Sequence, residues 1–165
     1  MSNFFTEFFA SYGRFLVFIH IVSAVIWIGG MIVVKFVVAP SVAKIQDVKL
    51  RLSRTLEIMQ RLLNFAMLFM ILLAITGTFM SLGVDFKHSS PSLYILVHIK
   101  EAVWTLMALN FIYIYRKRNS AERQFVSGDD ESAAESIFTI SKYLLPLNIF
   151  LGFVAIYFGV ILRGL

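Results

Sequence analysis

A chain of 165 residues that is 59% hydrophobic and 15% charged carries too little polar surface to cover a soluble domain of its size. A mean hydropathy of +0.81 points instead to an integral membrane protein. The absence of cysteine excludes disulfides, thiolate metal sites, iron–sulfur clusters and covalent haem attachment. Three histidines and seven methionines remain as soft or borderline metal ligands. The formal charge of +5 is accounted for by basic loops at a membrane surface, and nucleic acid is not an expected partner.

Residues 3–13 place Phe4, Phe5, Phe8, Phe9 and Tyr12 at helical spacing, with Glu7 and Ser11 on another face. This pattern predicts a short helix lying on the membrane. The start lacks the basic region of a signal peptide, and no small-residue cleavage site follows an apolar core. A first span is expected over 14–39, ended by Pro40. From Phe15 to Val34 it runs without a formal charge if His20 is neutral, long enough to cross a hydrocarbon core of roughly 30 Å.

The polar stretch SVAKIQDVKLRLSR follows, and a second span is expected over 56–82. A third is expected over 93–115, after the loop GVDFKHSSPS. The segment RKRNSAERQFVSGDDESAAES is the one long polar run. Within it Ser132 and Glu135 have the spacing of a capping box, so a fourth helix starts there and crosses over 142–163. No internal repeat and no second domain are evident. The expected fold is all-α: a single domain over 1–165, built as a four-helix transmembrane bundle.

Four spans put both termini on one side. Lys44, Lys49, Arg51, Arg54, Arg116, Lys117, Arg118 and Arg123 follow spans one and three, against Arg14, Lys87 and Arg163 on the opposite side. The positive-inside rule then sets the basic loops in the cytoplasm and both termini on the non-cytoplasmic side of a bacterial-type inner membrane.

An ionisable residue inside a span is a functional hypothesis with a partner to be found. His20 lies six residues past Arg14 and His98 six past Ser92, each roughly 9 Å below the same surface. Two neutral imidazoles at matched depth on non-adjacent spans suit a b-type haem between helices. On this reading His20 and His98 are the metal ligands, although a hydrogen-bonded core histidine is the plainer account of either one alone.

Ala24, Trp27 and Met31 share the His20 face, and Ala102, Thr105 and Leu109 the His98 face. Gln60, Asn64, Met67, Ala74, Thr78 and Ser81 share a face of the second span. On the fourth span Asn148, Gly152, Ala155 and Gly159 form a small-residue stripe that reads as close helix packing. Arg163 ends the stripe, where it is equally an interface anchor or a partner for a haem propionate. Gly29 and Gly30 read as packing contacts. Lys100 is the rival to His98. The two are about 200° apart on a helix, so only one faces a shared ligand. His88 sits in the outer loop and reads as solvated.

The stretch FIHIVSAVIWIGGMIVVKFVVAP resembles the first helix of CopD copper-resistance membrane domains and of HemJ-type protoporphyrinogen oxidases. LVHIKEAVWTLMALNFIYIYRKR is similar to the third HemJ helix, with its histidine–x–lysine pattern and basic exit, and RLLNFAMLFMILLAITGTFMSLG to the helix between. The resemblance spans most of the chain as hydrophobic helices, and its specific residues are His20, Trp27, His98 and Lys100. Ile28-Gly29-Gly30 stands where HemJ proteins have Leu-Pro-Arg, which is closer to CopD.

The resemblance implies haem b, with Trp27 near the cofactor and functional roles for His20 and Lys100, the latter as the catalytic residue. It also implies an enzyme or electron carrier that passes electrons to quinone or to a membrane redox partner. A porphyrin substrate and a homodimer are expected alongside. The alternative is CopD-type copper transport, with His20, Met31 and His98 holding Cu(I) in transit.

Overall fold

A computed structural model describes residues 2–83 and 91–164, with side chains over 4–83 and 94–162. His88 and Lys87, and the side chain of Arg163, lie outside the described residues. Every element among the described residues is helical: α1 (Ser2–Val33), a π segment (Val34–Val38), α2 (Ala39–Val42), α3 (Val48–Gly83), α4 (Pro91–Val126), α5 (Asp130–Thr139), a second π segment (Ile140–Leu144) and α6 (Leu145–Gly164). Four continuous rods are long and apolar enough to cross a membrane, which makes this a multi-pass membrane protein by length and composition. A helix is the natural form for such segments, because lipid offers nothing to hydrogen-bond a bare peptide group.

α1 packs chiefly on α3, α3 on α4, α4 on α6, and α6 returns to α1. The bundle is therefore up-and-down, with α1 and α4 on one diagonal. Its core is Trp27, Met31, Leu63, Met107, Phe111 and Ile140 with their neighbours, in the middle of the rods. Large apolar side chains such as Phe18, Phe65, Leu106 and Phe150 point outward, as lipid-facing positions do. In lipid, association depends on close packing rather than on hiding apolar surface from water. Gly152 provides it: a Cβ there would come 2.8 Å from Ile28 Cγ1. This is the packing role expected for the small-residue stripe.

The rods are longer than the spans expected from sequence. The aromatic segment 3–13 is not a separate surface helix; α1 runs unbroken through Gly13. Phe5 and Phe8 lie against Phe79 at ring distances of 5.3 and 5.4 Å, which ties this extension to α3. Most of the polar stretch before the second span is also helix, because α3 begins at Val48, where Asp47 accepts from the Leu50 amide. α3 and α4 have 36 residues each, about 54 Å, so both extend beyond the hydrocarbon core. The Ser132–Glu135 capping box is replaced by Asp129. Its carboxylate accepts from the Ser132 amide at 3.1 Å, and contacts with Ser132 hold it below the usual aspartate range. Gly128, with φ of 85°, turns the chain into that cap.

One end of the bundle gathers the basic residues around a buried arginine. Arg118 is 3% exposed. Its Nε and Nη2 donate to the Leu56 carbonyl, its two terminal nitrogens to the Glu122 carboxylate, and Nη1 also to Asn119. All five N–H groups are engaged, so the cation is held rather than stranded.

The π segments have one shared cause. Pro40 and Pro146 supply no N–H. The amide of Ala39 bonds to Val34, and that of Leu145 to Ile140, each five residues back. The next carbonyl in each rod, on Lys35 and on Ser141, would need the nitrogen of the proline. Ser141 is rescued from across the bundle: Lys35 Nζ donates to its carbonyl at 2.6 Å.

Candidate cofactor site

His20 enters from α1 and Thr76 from α3. The Thr76 hydroxyl has one proton and gives it to the Leu72 carbonyl at 2.6 Å. Its oxygen therefore accepts from His20 Nδ1–H at 2.8 Å. In the neutral imidazole that an apolar span favours, this places the lone pair on Nε2. A hydrogen bond of this kind orients metal-ligating histidines and raises their basicity. The ring packs against Gly77 of α3, where a Cβ would lie 3.4 Å from His20 Cε1, in ordinary contact.

Lys100 enters from α4, across the diagonal. Its Nζ lies 3.5 Å from where a Gly159 Cβ would be, and it is within electrostatic range of His20. It makes no hydrogen bond or ion pair with another described residue. One turn inward of each lies a polar group that is buried without a partner: the Ser23 hydroxyl after His20 and the Trp104 indole N–H after Lys100. The His20 lone pair, the Lys100 nitrogen and these two unsatisfied groups sit in adjacent layers of the bundle.

The expected pairing of His20 with His98 is not formed. His98 is on the outer surface of the bundle with its side chain 53% exposed. There its Nδ1 meets Glu101 at 3.0 Å, Ser81 donates to the same carboxylate at 3.3 Å, and Tyr94 covers the ring edge-on at 4.4 Å. The physical reason is rotational. α4 turns Lys100 toward Gly159, and a side chain two residues away then faces out.

Trp27 is 1% exposed and packs edge-to-face on Phe111 at 6.1 Å, about two turns below His20. It is a core residue with an unsatisfied indole N–H, not a neighbour of the His20 ring. Met31 lies deeper still, about 16 Å from His20 along the helix. His20, Met31 and His98 therefore do not gather into a copper-binding set. Among the described residues no three histidine, aspartate or glutamate side chains are grouped so that they could hold a metal ion. Gly30 contacts Leu62, as expected for packing, whereas Gly29 has open space where a side chain would go.

Thr76 lies off the polar face of the second span that Thr78 and Ser81, two and five residues on, mark in the sequence. A single hydroxyl inside ILLAITGTF was its only signal. Compared with family models, curated proteins and solved structures, the chain has no match.

Proposed function

We propose that this chain is a b-type haem-binding redox protein of a bacterial-type inner membrane, with both termini on the non-cytoplasmic side. His20 would hold the haem iron and Lys100 would face the cofactor from the diagonally placed helix. The observation that carries the reading is the His20–Thr76–Leu72 relay, which in a neutral imidazole leaves the Nε2 lone pair free inside a membrane span.

The residues present suit the group. The unsatisfied Ser23 and Trp104 groups lie one turn inward of His20 and Lys100. Haem iron, when bound, supplies a one-electron couple. The protein's part is to fix the imidazole, to exclude water with the apolar core, and to offer a cation at Lys100. An ammonium there suits the carboxylate of a porphyrin, and Arg163 would serve the same role at the end of α6. Electron transfer and protoporphyrinogen oxidation both fit, with quinone or a membrane redox protein as acceptor.

The test is a visible spectrum of the purified protein. The Soret and reduced α bands of haem b are expected, and His20→Ala is expected to lose them. A His20→Ala protein with wild-type haem content and an unchanged reduced spectrum would overturn the assignment.

A further inference from the structure

At the basic end of the bundle, well away from His20, lies an apolar cavity of about 350 Å³ between α1–α2, α3 and α5–α6. We infer that it receives an acyl chain of an anionic phospholipid whose phosphate is held by Arg51. The cavity follows from the local sequence. Both π segments contribute wall residues, among them Val38 and Ile140, and the small side chains of Ala39, Ala43 and Ala134 leave the space open.

Nearly every other lining residue is aliphatic or aromatic, so the interior suits a hydrocarbon chain and offers little to a polar ligand. Arg51 is the one charged residue in the lining, and no carboxylate shares the cavity. One of its N–H groups donates to the Ile45 carbonyl at 3.2 Å, and no other bond of this guanidinium is made with a described residue. Its remaining donors match a phosphate diester.

Charge favours the same occupant. At this end of the bundle Lys49 meets Asp130 and Arg54 meets Glu57, whereas Lys44, Arg116, Lys117 and Arg123 make no ion pair with a described residue, and these free cations attract anionic headgroups. A zwitterionic lipid would place its own cation among these residues. A free phosphate would leave the apolar walls unused.

The experiment is native mass spectrometry of the detergent-purified protein, titrated with phosphatidylglycerol and phosphatidylcholine of matched chains. Phosphatidylglycerol is expected to be retained several-fold more. Arg51→Gln should remove the preference and Arg51→Lys should largely keep it. Ala39→Leu, which fills the cavity, should lower retention of both lipids. His20→Ala should leave the preference unchanged, which separates this site from the cofactor site. Equal retention of the two lipids, or a preference that survives Arg51→Gln, overturns the proposal. So does displacement of the lipid by millimolar inorganic phosphate, because that would mark a site for the headgroup alone. Circular dichroism and elution volume report whether each variant keeps its helical fold.

Discussion

The Thr76 hydroxyl is worth one specific measurement. Thr76→Val keeps shape but removes the acceptor for His20 Nδ1–H. Loss of a partner of this kind costs about 10–100-fold in metal affinity. If the chain holds haem as proposed, its retention on dilution should fall by that order in Thr76→Val and be lost in His20→Ala. A second measurement separates the two α4 candidates. Lys100→Ala should alter the haem spectrum, and His98→Ala, at the exposed Glu101 pair, should leave it as in the wild type. The opposite result would mean that α4 is rotated in the bilayer by about half a turn. The sequence made His20 legible because an imidazole inside an apolar span has few ordinary reasons to be there. It also made His98 and Lys100 legible as alternatives, since they share no face. Which of them turns inward depends on Gly159, a contact between helices far apart in the chain, and helical spacing within α4 carries no trace of it.

Hydropathy located all four spans, because lipid dictates their length. It did not locate the ends of the rods. The aromatic extension of α1 and the charged extensions of α3 and α4 are held by Phe79, Asp47 and Arg118, and single contacts of that kind have no period to detect. The π segments were equally hidden, although Pro40 and Pro146 each stand two residues beyond one. Lys35 offers a test of their cause. Lys35→Met should leave the Ser141 carbonyl unpartnered and cost about 1–3 kcal/mol in unfolding free energy. Pro146→Ala returns a backbone N–H to α6, so the double variant should regain much of that loss. A double variant no more stable than Lys35→Met would refute the account of the π segment. At Arg118, Glu122→Ala removes the acceptor of two charged hydrogen bonds from a guanidinium that is 3% exposed. A loss of about 1–3 kcal/mol is expected, read as a lower urea midpoint in mild detergent.

For the whole molecule, the up-and-down order sets Lys49 and Ser127 at one end and Glu7 at the other, all exposed. In intact cells, cysteine placed at Glu7 should react with an impermeant maleimide, and cysteine at Lys49 or Ser127 should react only after lysis. The reverse pattern would invert the bundle and put His20 near the inner surface. The Lys35–Ser141 bridge has a further consequence, for biosynthesis. α1 leaves the ribosome first and α6 last, so an ammonium enters the bilayer long before its carbonyl exists. Until α6 arrives the nascent bundle is an open three-helix sheaf with a charge on its unfinished side, a feature that membrane proteases and insertases are placed to detect. A chain stopped in the α5 region should therefore be degraded faster than the full-length protein, and Lys35→Leu should lengthen the life of the stopped chain while shortening that of the complete one. The same residue that closes the ring in the finished protein would mark the unfinished one for removal.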